Sequence, residues 1–68
     1  MPVQIVLNGQ PRHLAEPTSL TALLDELELS SRHVAVEVNC ELVPRGEHPS
    51  RVLTDGDQVE IVTLVGGG

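Results

Sequence analysis

The first apolar residues of the chain alternate with more polar ones, which predicts a strand with one buried face. Asn8-Gly9 follows this strand and predicts a tight hairpin, because both residues tolerate positive φ. The returning strand runs through residues 12–14, and Pro11 stands at its start, where a missing N–H does least harm. The buried positions of the first strand are Val3, Ile5 and Leu7.

The next segment has the period of an amphipathic helix. Its apolar stripe is Leu20, Leu23, Leu24 and Leu27. Thr18 or Ser19 precedes the stripe and is suited to cap the helix. Acidic residues crowd the other end, at Asp25, Glu26 and Glu28, where the helix macrodipole disfavours negative charge. We therefore expect packing of the leucines, rather than surface interactions, to hold this helix in place.

Alternation resumes after the helix and predicts three more strands, at residues 34–38, 41–43 and 59–65. Turns are predicted at Asn39-Cys40 and at Asp55-Gly56-Asp57, and a polar loop over residues 45–51. One helix can cover only one face of a sheet. The order therefore predicts an α+β fold, a mixed sheet of about five strands with one main helix packed on one face. The first and last strands are the most apolar and are placed centrally.

Three apolar residues of the predicted central strands point away from the helix. These residues are Val6, Val62 and Leu64. Scattered surface hydrophobic residues are common and need no explanation. We favour a partner-docking patch, because the helix cannot cover this face and Leu64 leads directly into the end of the chain.

The length of 68 residues predicts one domain, residues 1–65, followed by a flexible glycine tail, residues 66–68. A core this small supplies on the order of 3–5 kcal/mol of net stability, and so few residues cannot build a large cleft. The chain also lacks aromatic residues. From the small size we expect no enzymatic site, and we also expect no bound cofactor.

The formal net charge is −6, and lysine is absent. This charge argues against nucleic acid and anionic membranes as partners and favours a basic protein surface. A single cysteine excludes an internal disulfide. Together with the lack of a signal peptide and of a long apolar segment, it predicts a cytoplasmic protein.

The histidines and the cysteine could in principle ligate a metal. They are His13, His33, Cys40 and His48, and no two have the spacing of a metal-binding pair. We therefore expect surface histidines, an incidental turn thiol and no metal site.

The last three residues, Gly66, Gly67 and Gly68, form a tail without side chains that is thin enough to enter a narrow channel. The carboxylate of Gly68 is a poor electrophile unless a partner activates it, for example as an acyl-adenylate. The chain has no phosphate-binding loop, so a partner would have to handle the ATP.

Several motifs in this order resemble the ThiS family, the sulfur carriers of thiamine biosynthesis, which have a ubiquitin-like β-grasp fold. The motifs are the opening hairpin, the leucine stripe, residues 34–39, Val43-Pro44-Arg45, Asp55-Gly56-Asp57 and Val65-Gly66-Gly67-Gly68. Relatives often carry a tryptophan in the loop after Pro-Arg, where this chain has Gly46, Glu47 and His48, and glycine where it has Cys40. These departures concern loop packing and the choice of partner.

The resemblance implies a specific chemistry. A ubiquitin-activating-like enzyme adenylates Gly68, and sulfur from a donor protein replaces AMP to give a thiocarboxylate. Thiazole synthase then receives the sulfur, and Gly66, Gly67 and Gly68 enter the active site of the partner. Two alternatives stay open: a carrier for another pathway, such as the small subunit of molybdopterin synthase, and a β-grasp interaction module with an inert tail.

Overall fold

A computed structural model of the chain describes residues 1–64 and contains a five-stranded mixed sheet with one helix. The strands of this sheet are β1 (Val3–Leu7), β2 (Gln10–Leu14), β4 (Val34–Val38), β5 (Glu41–Val43) and β7 (Gln58–Thr63). They lie in the order β2-β1-β7-β4-β5, so the first and last strands are central neighbours. The predicted α+β architecture and the central placement of these strands are confirmed.

The hairpin predicted at Asn8-Gly9 is present and has an additional function in the sheet. Asn8 has φ +49° and Gly9 has φ +83°, the left-handed values that a two-residue hairpin turn requires. The side chain of Asn8 accepts a hydrogen bond of 2.8 Å from the backbone N–H of Ile61 on β7. β1 and β7 run parallel over the pairs Val6–Gln58 and Leu7–Val59. Asn8 thus extends this pairing after β1 has ended.

The helix α1 (Leu20–Glu26) crosses the inner face of the sheet and contributes its leucines to the core. Ser19 is its N-cap and accepts a hydrogen bond from Ala22 N–H at 3.1 Å. Leu20, Leu23 and Leu24 are buried, as predicted, whereas Leu27 follows the last turn and is half-buried. Ile5 on β1 and Val36 and Val38 on β4 close the core from the sheet side, fully buried.

The loop over residues 45–51 is more ordered than its polar composition predicts. It contains a 3-10 helix (Arg45–Glu47) and leads into β6 (Val52–Leu53), which pairs antiparallel with β3 (Thr18–Ser19). The backbone N–H of Leu20 donates to the carbonyl of Arg51 at 2.9 Å. This second, two-stranded sheet fixes the start of α1 beside the loop.

His48 lies beneath this loop and is only 1% exposed, so the prediction of a surface histidine is wrong at this position. Its Nε2 lies 3.1 Å from the carbonyl oxygen of Val43, which can only accept, so Nε2 carries the proton and donates. Its Nδ1 lies 2.8 Å from the hydroxyl of Ser31 and accepts from it in the neutral ring. Both ring nitrogens are therefore satisfied, which permits burial of an imidazole in an aliphatic core.

Asp57, in the turn predicted at Asp55-Gly56-Asp57, connects the turn that leads into β7 to the turn between β4 and β5. It is 9% exposed and accepts hydrogen bonds from Thr54 N–H at 2.9 Å and from the side-chain amide of Asn39 at 3.0 Å. Asn39 in turn accepts from the backbone N–H of Gln58 at 3.0 Å. The side chains of these turns thereby fix the start of β7 in the sheet.

Candidate functional site

The strand β7 is the last strand of the described residues and ends one residue before Leu64. After its last residue, Thr63, the N–H of Leu64 still donates to the carbonyl of His33 at 2.8 Å, which continues the pairing with β4 by one residue. The predicted reactive residues, Gly66, Gly67 and Gly68, and the neighbouring Val65 lie outside the residues that the structure describes. The structure thus describes the chain only as far as Leu64.

Two of the three residues predicted to dock a partner, Val62 and Leu64, lie together at the end of β7. Val62 is 59% exposed and Leu64 is 56% exposed, and alternation along the strand from the buried Val59 assigns both to the face opposite α1. Ala35 on β4 is directly opposite Val62 and extends the apolar surface across the strands. We call Ala35, Val62 and Leu64 the exit patch.

The third predicted residue, Val6, lies elsewhere on the same face. It pairs with Gln58, four residues before Val62 along β7. At about 3.3 Å per residue this is a separation of about 13 Å. Val6 is also only half exposed, since its neighbours on both sides cover it in part. The structure therefore separates Val6 from the exit patch.

A pair of carboxylates lies between Val6 and the exit patch. Glu37 on β4 and Glu60 on β7 are cross-strand partners, and both are exposed. Like charges directly opposite each other on a sheet are destabilising. Within residues 1–64 the only ion pair joins Arg12 to Glu26 at 3.9 Å, so no basic side chain of this part neutralises the two glutamates. Their mutual repulsion is an electrostatic reason to accept a basic partner.

Leu42 is a further apolar residue on the outer face of the sheet, the face opposite α1, and sequence reasoning missed it. It lies opposite Glu37 on the edge strand β5 and is 65% exposed. Its strand has only three residues, so the alternation that reveals an outward apolar residue is too short to be recognised. The outer face thus has apolar residues on two sides of the acidic pair.

The histidines and Cys40 do not form a cluster. His13 and His33 are exposed, His48 is buried and hydrogen-bonded as described above, and Cys40 lies in the β4–β5 turn with φ +70°. No group of three possible metal ligands occurs within residues 1–64. The same residues contain no helix with the length and apolar character that crossing a bilayer requires.

Comparison with known proteins places this geometry in a family. A profile of the ThiS family matches residues 5–68, which includes the three glycines. The chain is 45% identical over 62 residues to the sulfur carrier protein ThiS of Thermus thermophilus, covering 91% of this chain and 95% of that one. The crystal structure of the thiamine biosynthesis protein ThiS from Geobacter metallireducens superposes with a TM-score of 0.83 at 33% identity. That match covers 97% of this chain and 100% of the other, and it confirms the ubiquitin-like β-grasp fold.

A longer protein contains a similar segment. The chain is 42% identical over 66 residues to the thiazole synthase of Paramagnetospirillum magneticum. The match covers 97% of this chain but spans only 20% of the length of that relative.

Proposed function

The chain belongs to the ThiS family, and from this premise we propose that it is a sulfur carrier of thiamine biosynthesis whose Gly68 carboxylate receives the sulfur. The observation that carries this proposal is that the family match continues through residue 68, so the glycine segment is part of what relates this chain to known sulfur carriers. The same family relation favours a carrier over a catalyst, since every reactive step falls to a partner.

The proposed modification of Gly68 has two steps, adenylation and sulfur transfer. An oxygen of the Gly68 carboxylate attacks the α-phosphorus of ATP, and pyrophosphate leaves, which gives an acyl-adenylate. Sulfide (HS⁻) delivered by a donor protein then attacks the acyl carbon and displaces AMP, and loss of its proton leaves a terminal thiocarboxylate. Gly66 and Gly67 contribute the absence of side chains, because a thin backbone can enter the narrow active site of a partner.

The outer face of the sheet is the proposed docking surface for the adenylating enzyme. The exit patch supplies exposed apolar area next to the start of the tail, and the carboxylates of Glu37 and Glu60 select a basic counterpart. Val6 contacts the partner only if the interface reaches about 13 Å along β7. An interface of this character weakens as salt screens the charges.

Thiazole synthase is the proposed acceptor of the sulfur. In Paramagnetospirillum magneticum a protein named thiazole synthase itself contains a segment similar to this chain, which favours a functional relation between the two. We place the reaction in the cytoplasm, because a reducing compartment keeps both the exposed Cys40 thiol and a thiocarboxylate from oxidation.

Intact mass spectrometry tests the proposal. The protein is incubated with ATP, a sulfide source and a purified ThiS-type adenylating enzyme, and we expect one oxygen to be replaced by sulfur. Fragmentation must localise the change to Gly68, because oxidation of Met1 or Cys40 adds nearly the same mass. A chain lacking Gly67 and Gly68 is the control, with normal folding and no conversion expected.

Two results would contradict the proposal. If the terminus stays unmodified while the enzyme converts another carrier, the interaction module with an inert tail is favoured. If the thiocarboxylate forms but thiazole synthase does not accept the sulfur while molybdopterin synthase does, the chain serves the other pathway.

A further inference from the structure

The strand β7 extends past the end of its neighbour β1, and this leaves part of one edge open. β1 ends at Leu7, and the chain turns away at Asn8-Gly9 to form β2. The last pair of β1 with β7 is Leu7–Val59, whereas β7 continues to Thr63. On its other side β7 stays paired with β4 through the pair Val34–Thr63. Only the edge that faces β1 is therefore open.

The hydrogen bonds show which backbone groups point toward this open edge. Asn8 N–H donates to the carbonyl of Val59 at 2.9 Å, and Ile61 N–H donates to the side chain of Asn8 at 2.8 Å. Since backbone groups alternate in direction along a strand, the odd-numbered residues of β7 face the β1 side. On the β4 side, Leu64 N–H donates to the carbonyl of His33, which confirms the alternation.

The next rung of the β1–β7 ladder is therefore vacant. It consists of the carbonyl of Ile61 and the N–H of Thr63, which a residue of β1 would bond if that strand were longer. Within residues 1–64, neither group has a hydrogen bond to another residue. Ile61 is half-buried and Thr63 is exposed. Such an unpaired edge is a template for an added strand.

We propose that an extended segment of the adenylating enzyme pairs with this vacant rung, in line with β1, and so guides the tail into the active site. The inference rests on the proposed function, because it concerns the partner that receives the tail. The Thr63 N–H directly precedes Leu64 in the chain, so a strand bound there lies only a few residues before Gly68 in the sequence. Pairing of the enzyme segment with β7 also fixes the direction in which β7 approaches the enzyme. This reduces the conformational entropy that is lost when the glycines enter the active site.

A basic partner fits the open edge of β7 better than a second copy of the chain does. The edge lies beside Glu60 and Val62 of the outer face, so a strand seated there continues the proposed docking surface. Two copies that met edge to edge would each have a net charge of −6 and would repel one another.

The vacant rung is tested by Thr63→Pro, which removes an N–H that has no hydrogen-bond acceptor within residues 1–64. Proline is tolerated in a strand where the N–H faces away from the ladder. The protein itself has a proline of this kind, Pro11, on the outward side of β2 opposite Val6. We expect Thr63→Pro to weaken binding to the purified adenylating enzyme about tenfold or more, measured by isothermal titration calorimetry.

The matched control is His13→Pro on the opposite edge of the same sheet. His13 lies two residues after Pro11 on β2 and pairs with Gln4, so by the same alternation its N–H points outward from β2, like the position of Pro11. We expect binding within twofold of the wild type for this variant. Equal binding by Thr63→Pro and wild type, with both folded by circular dichroism, would overturn the inference.

Amide hydrogen exchange gives a second measurement that does not depend on a proline variant. In the free protein Thr63 N–H should exchange rapidly, whereas Val62 N–H, which faces β4, should be protected. Addition of the enzyme should protect Thr63 by at least tenfold. Unchanged exchange at Thr63 in a saturated complex would exclude the added strand.

The outcomes separate this inference from the proposed function. If wild-type Gly68 is not converted to a thiocarboxylate, the proposed function fails first. If it is converted and Thr63→Pro binds normally, only the edge pairing fails. If sedimentation equilibrium shows a dimer that Thr63→Pro abolishes while enzyme binding is unchanged, the edge pairs two copies and the proposed occupant is wrong.

Discussion

The side chain of Asn8 should hold β7 against β1, and its contribution can be separated from that of its backbone conformation. Asn8 has φ +49°, and its Oδ1 accepts from Ile61 N–H at 2.8 Å. Asn8→Gly retains the positive φ but removes the acceptor, whereas Asn8→Ala removes the acceptor and also strains the backbone. The two substitutions therefore differ mainly in the cost of the left-handed conformation, and a smaller difference comes from the greater entropy of glycine in the unfolded chain.

The magnitudes follow from these two losses. Loss of one backbone-to-side-chain hydrogen bond costs about 1 kcal/mol net. A left-handed alanine adds about 1–2 kcal/mol. We therefore expect Asn8→Gly to lower the free energy of unfolding by about 1 kcal/mol and Asn8→Ala by about 2–3 kcal/mol. Since the whole domain has on the order of 3–5 kcal/mol, the alanine variant should be close to unfolding at room temperature.

Urea unfolding at equilibrium measures both values, and hydrogen exchange at Ile61 tests their cause. In Asn8→Gly the Ile61 amide should exchange faster, while the amide of Val62, which faces β4, should change only with the global stability. The reasoning is refuted if Asn8→Gly is as stable as the wild type and Ile61 remains protected. It is also refuted if glycine and alanine destabilise equally, because the backbone conformation would then have no cost.

Three further predictions follow from other parts of the structure. Cys40→Gly should raise the free energy of unfolding by about 1 kcal/mol in urea titrations, because Cys40 has φ +70°; a loss of stability would contradict this explanation. His48→Ala should lower the free energy of unfolding by about 3 kcal/mol, because a cavity forms and the carbonyl of Val43 loses its donor. The control His33→Ala, at the surface, should change this free energy by less than about 0.5 kcal/mol. Similar losses in both variants would argue against a structural role for the buried imidazole. Val62→Asp should leave the unfolding midpoint near that of the wild type and weaken binding to the adenylating enzyme about tenfold or more in a titration, and unchanged affinity would remove the exit patch from the interface.

The strands and turns of this chain could be predicted because their signals are local. Alternation over five residues identifies β1 and β4, and Asn-Gly and Asp-Gly identify turns whose backbone needs positive φ. The two-residue strands β3 and β6 could not be found in this way, because a strand of this length contains no alternation. They form because the start of the helix and the loop before β6 meet in space.

The candidate site was predicted only in part, for two physical reasons. Membership of a face follows from the period of two, so Val62 and Leu64 could be assigned to the outer face from the sequence. The register between β1 and β7 depends on the turns and side chains that join them, and it places Val6 about 13 Å from Val62. The burial of His48 likewise depends on Ser31, a partner far away in the sequence, which the spacing of histidines does not reveal.

The pairing of the first strand with the last has a consequence for the order of folding. The contacts that join them span most of the chain, with separations of 51 residues for Gln4–Asp55 and 53 for Asn8–Ile61. Contacts of such high sequence separation close late, because the chain must first lose the entropy of a long loop. During synthesis β7 can fill the gap between β1 and β4 only after residues up to Thr63 have been made. A molecule that presents Leu64 in its paired position has therefore already completed its core, so a partner that bound this segment would select folded domains over unfolded ones.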